Sequence, residues 1–161
     1  MRFLFIFFFL LGCANLEFVY EKNDKNPLKN STSLAITGDQ KNIAYTQLVS
    51  LVGQGDEKIY ILEVAIQEAI SKEVVGSDSA TLKYNVSHTI NYNLIKAKKK
   101  CLLLSKKITT TTNYNSKSAG YNFGTDVSKT KTIENNIKNN IENFLKKTSA
   151  LLNTDLCNNE G

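Results

Sequence analysis

From Leu82 to Leu94 the chain alternates apolar and polar residues without a break. Leu82, Tyr84, Val86, His88, Ile90, Tyr92 and Leu94 share one face, and Lys83, Asn85, Ser87, Thr89, Asn91 and Asn93 share the other. A period of two over this length predicts a half-buried antiparallel strand well beyond the usual five or six residues. Tyr60 to Ile70 alternates in the same way ahead of the turn Gly76-Ser77-Asp78-Ser79. After a basic turn, Lys96 to Lys100, a third strand is predicted with Leu102, Leu104, Ile108, Thr110, Thr112 and Tyr114 facing inward, and a polar loop from Asn113 to Gly124. The fold must therefore be built around a long meander.

Two segments switch to helical periodicity. Ile43, Ala44, Leu48, Leu51 and Val52 fall on one stripe, with Gly53 as the stop and Thr37 and Gln40 at capping-box spacing. Ile133, Ile137, Ile141, Phe144, Leu145, Leu151 and Leu152 mark a second, longer helix. A short strand, Ser33 to Thr37, precedes the first helix and should lie parallel to the strand after it. The expected class is α+β: two helices on one face of a four-stranded mixed sheet, in the order β-α-β-β-β-α. Leu82, Val86, Ile90, Ile137, Ile141 and Phe144 are its expected core.

The N-terminus reads as an export signal. Met1-Arg2 leads into an apolar run from Phe3 to Leu11 that is too short to span a bilayer and stops at Leu10-Leu11-Gly12-Cys13. This lipobox predicts cleavage before Cys13, a diacylglycerol thioether on its sulfur and an acyl chain on its amine. No other cofactor is expected. Ala14 stands where an inner-membrane retention signal carries Asp, so the expected site is the periplasmic face of the outer membrane. The chain divides into a signal peptide (1–12), a lipidated tether (13–32), an α+β domain (33–152) and a tail (153–161).

Lys and Arg number 20 against 15 Asp and Glu, a formal charge of +5 that suits lipid phosphates but is too weak to argue for nucleic acid. Cys101 and Cys157 could pair in an oxidising compartment. His88 has no companions spaced to hold a metal and reads as a core or rim histidine. With no nucleophile elbow, phosphate loop or nucleophile–base pair, an enzyme is not expected.

The lipobox followed by strand, helix, meander and helix resembles the LPS-assembly lipoprotein family, LptE, in its alphaproteobacterial branch. Ala80-Thr81-Leu82-Lys83-Tyr84-Asn85-Val86 resembles the family's strand after the glycine turn, and Thr111 to Ala119 its segment entering the last helix. The resemblance implies a plug and assembly partner of the LptD outer-membrane barrel in lipopolysaccharide transport. The family's lipopolysaccharide-contacting basic residues would correspond to Lys72 and Lys129, although the glycine turn itself carries none. The competing expectation is a free-standing periplasmic-facing lipoprotein that binds lipid or another envelope protein without a barrel.

Overall fold

A computed structural model describes residues 26–75, 81–117 and 122–149. The order is β1 (Thr32–Gly38), α1 (Lys41–Val52), β2 (Tyr60–Val75), β3 (Thr81–Lys96), β4 (Cys101–Lys117) and α2 (Asn122–Ser149). The four strands form one sheet in sequence order, with β1 parallel to β2 and the remaining pairs antiparallel. This is the α+β class and the β-α-β-β-β-α order expected from the alternation of periods. At about 3.3 Å per residue, the 16-residue strands β2 and β3 run roughly 50 Å.

One face of this blade carries the core. Leu62, Val64 and Ile66 of β2 and Val86, Ile90, Tyr92 and Leu94 of β3 are buried. Ala44, Leu48 and Val52 of α1, with Ile133, Ile137, Ile141 and Phe144 of α2, close over them. Phe144 stacks on Tyr92 with ring centroids 4.1 Å apart. Leu82 is only half-buried, because it lies toward the far end of the sheet, near the start of α2.

The segment 26–31, read from the sequence as part of the tether, is packed as well. Leu28 is 1% exposed in the core, and the turn's Asn30 N–H donates to the Val52 carbonyl. An isolated Leu between Pro and Lys shows no period, which hid it.

Three local expectations change. Thr37 does not cap α1. Its hydroxyl instead donates to the Val64 carbonyl, and the N-cap residue Gln40 takes a left-handed conformation with no side-chain cap. The strand register forces this: β1 continues through Gly38, so Thr37 is still in the ladder. Leu102 is 57% exposed because a bulge at Leu94/Ile95 pairs Leu94 with Leu104 but Ile95 with Leu102, turning Leu102 to the opposite face. Asn113 to Lys117 are strand, not loop, since they pair with Thr81 to Asn85 and place Tyr114 against Tyr84, centroids 5.0 Å apart.

Gly38 sits at φ +95°, where an added Cβ would fall 2.0 Å from the Ile66 carbonyl oxygen. Gly53 at φ +71° ends α1 as the sequence suggested, its N–H bonded to the Val49 carbonyl.

Candidate functional site

A chain of polar side chains crosses the core face of the sheet near its middle. Glu68 on β2 accepts from Gln40 Nε2 at 3.2 Å and lies 3.0 Å from His88 Nε2. On the other side of the ring, Asn136 Nδ2 is 3.0 Å from His88 Nδ1 and also within reach of the Val86 and Thr110 carbonyls, at 3.1 and 3.2 Å. Those two carbonyls turn the Asn136 amide nitrogen toward the imidazole, so Nδ1 is the acceptor and Nε2–H donates to Glu68. One turn along α2, Asn140 accepts from the Tyr92 hydroxyl at 2.9 Å and donates to Thr110 Oγ1 and the Ile108 carbonyl, both at 3.0 Å.

His88 is thus the core histidine expected, 0% exposed with both ring nitrogens occupied. No buried side-chain nitrogen or oxygen among the described residues lacks a partner. A network this complete holds α2 to the sheet. Burial pushes the Tyr92 hydroxyl far above its ordinary pKa. Asn136 and Asn140 were missed in the sequence, although their positions one residue before Ile137 and Ile141 put them on the edge of the apolar stripe.

The network also marks where the covered core ends. Beyond Glu68, Ile70 and Val74 are 42% and 58% exposed on the same face. Lys72 lies between them, exposed and paired in register with Tyr84. Lys129 is exposed in the early turns of α2. α2 runs from this end toward the β3–β4 turn, since Asn136 meets Val86 while Phe144 meets Tyr92. The two lysines therefore lie toward the same end of the blade, where the stacked Tyr84 and Tyr114 also sit. Desolvation, then the neighbouring Tyr84, Asp126 and Glu68, raises the Tyr114 pKa.

The opposite face of the sheet has neither helix against it. It carries a ladder of neutral polar pairs: Ser87 with Thr111 at 3.2 Å, Thr89 with Thr109 at 2.9 Å, and Ser105 donating to Asn93 at 2.8 Å. Small residues Ala35 and Ala65 leave a shallow depression beside Asn91 and Asn93.

Among the described residues, no group of three or more His, Cys, Asp or Glu could hold a metal, and no helix is long and apolar enough to cross a membrane. Cys101 is disulfide-bonded. The Cys157 pairing considered from the sequence falls outside the described residues, as does the lipidation site Cys13.

Two solved lipoproteins share this fold. A protein described as a lipoprotein of Caulobacter crescentus superimposes with a TM-score of 0.59 over 81% of this chain and 94% of its own, at 13% identity. The minor lipoprotein of Acinetobacter baumannii gives a TM-score of 0.53 over 75% of this chain and 91% of its own, at 12% identity. No family model and no curated protein matches the sequence. At these identities the likeness fixes the fold, and function rests on the surfaces.

Proposed function

We propose that the protein is a non-enzymatic outer-membrane lipoprotein, anchored through acyl chains on Cys13, that seats in the lumen of the LptD barrel and assists lipopolysaccharide assembly. The carrying observation is the uncovered sheet face with its Ser, Thr and Asn ladder. A barrel lumen is polar and wet, so the hydroxyls and amides of the ladder can exchange water for partner hydrogen bonds, while Glu63, Glu73, Lys83 and Lys107 on the same face can stay hydrated. The lipoprotein neighbours of the fold support the anchored half of this reading. Lys72 and Lys129, exposed toward one end, are the residues we assign to the phosphates of lipopolysaccharide through charge-assisted hydrogen bonds.

Affinity purification of the tagged full chain from detergent-solubilised outer membranes tests the reading. A stoichiometric barrel partner is expected. Recovery of the chain alone would instead leave a free-standing lipoprotein.

A further inference from the structure

The end of the sheet opposite Lys72 gathers three connecting segments side by side. The Ser31 carbonyl accepts from the N–H groups of Ile59 and Tyr60 at 2.8 and 3.0 Å, and the Ala97 N–H donates to the Ile59 carbonyl at 2.9 Å. These bonds align the turn at 27–31, the loop at 53–59 and the β3–β4 turn. Five lysines are exposed on them, Lys29, Lys58, Lys98, Lys99 and Lys100, against two exposed acids, Asp56 and Glu57, a surplus of three positive charges.

This is also the end at which the described chain begins. Twelve residues, 14–25, separate Asn26 from Cys13. Even fully extended, the thirteen steps from Cys13 to Asn26 span no more than about 47 Å, at up to 3.6 Å each. An anchor at Cys13 therefore keeps this end near the bilayer, while the end bearing Ile70, Lys72 and Val74 lies most of a strand length farther along the sheet.

We propose that the lysine-bearing end is a membrane-docking surface that seats on anionic phospholipid headgroups of the leaflet holding Cys13. The proposal rests on Cys13 being the anchor but not on a barrel partner. Tether length and charge supply separate reasons for the same contact. A charge surplus within a Debye length of about 8–10 Å of anionic headgroups is attracted to them, and the tether, although longer than that, makes such approaches frequent. Docking at this end would fix the direction in which the blade leaves the anchor, which a tether alone leaves free.

The test uses the full mature chain carrying Cys13→Ser, so that acyl chains cannot hold it, sedimented with phosphatidylcholine vesicles with or without phosphatidylglycerol. Binding is expected only with phosphatidylglycerol and should weaken as salt rises. Lys58→Glu, Lys98→Glu and Lys99→Glu together should lower the affinity on the order of a hundredfold or more. Lys131→Glu, an exposed change on α2, should match the parent. As a second readout, Lys98 and Lys99 of the lipidated parent should react several-fold more slowly with an amine-acetylating reagent in phosphatidylglycerol vesicles than in phosphatidylcholine. That readout decides the matter if the triple variant fails to fold. Equal binding to both vesicles, equal binding by the triple variant, equal acetylation, or binding confined to vesicles containing lipopolysaccharide overturns the proposal. The vesicles contain no barrel, so absence of LptD from the affinity purification would leave this result standing, and palmitate labelling reports separately on the anchor.

Discussion

Asn136 and Asn140 each offer one side-chain amide to the sheet, and β3 and β4 both depend on it. Replacing Asn136 with Leu strands the His88 Nδ1 in the core and removes the amide's added bonds to the Val86 and Thr110 carbonyls. We expect a loss of about 1–3 kcal/mol in denaturant melts, since a buried acceptor left unpaired forfeits its hydration. Tyr92→Phe should cost a similar amount through the stranded Asn140 Oδ1. It should also change the alkaline limb. Burial raises the Tyr92 pKa, so the folded state keeps this proton at pH values where the unfolded chain, titrating near 10, releases it. The stabilising effect is complete below about pH 10 and is lost as pH rises above it, and Tyr92→Phe should flatten that decline. Of this network only His88 was legible in the sequence, as a core or rim residue. Asn136 and Asn140 lie beside an apolar stripe that marks only its aliphatic positions, and Glu68 interrupts the apolar alternation of its strand without indicating a partner.

At the scale of the elements, the long period-two runs and the isoleucine stripe of α2 were legible because burial on one face dictates them directly. Ile137→Ala and Ile141→Ala should each cost about 2–5 kcal/mol, both residues being fully buried. What periodicity could not show was the bulge, which shifts register by one residue without leaving a mark in the apolar pattern. It makes a sharp contrast available: Leu102→Ser should change stability by no more than about 0.5 kcal/mol, whereas Leu104→Ser should be clearly destabilising in the same melts. Gly38→Ala tests the junction of β1 and α1. Its positive φ and the adjacent Ile66 carbonyl should make the change destabilising by more than about 1 kcal/mol.

For the whole molecule, the arrangement is a blade with one apolar face closed by helices, one polar face left open, and exposed lysines at both ends. The open face and the anchor motif were both legible in the sequence. The clustering of Lys29 and Lys58 with the β3–β4 turn was not, because strand pairing brings together residues nearly seventy positions apart. Charge reversal of Lys72 and Lys129 together should weaken lipopolysaccharide binding while leaving barrel co-purification intact. Cys13→Ala should abolish labelling by a palmitate analogue. The most direct test of the central claim is site-specific photocrosslinking in cells from Thr89 and Thr111 on the open face, with Lys138 on the solvent side of α2 compared in parallel. The account predicts that both threonine positions crosslink to the LptD barrel. Monomeric, uncrosslinked protein from Thr89 and Thr111, in cells where the chain is processed and folded, would contradict it.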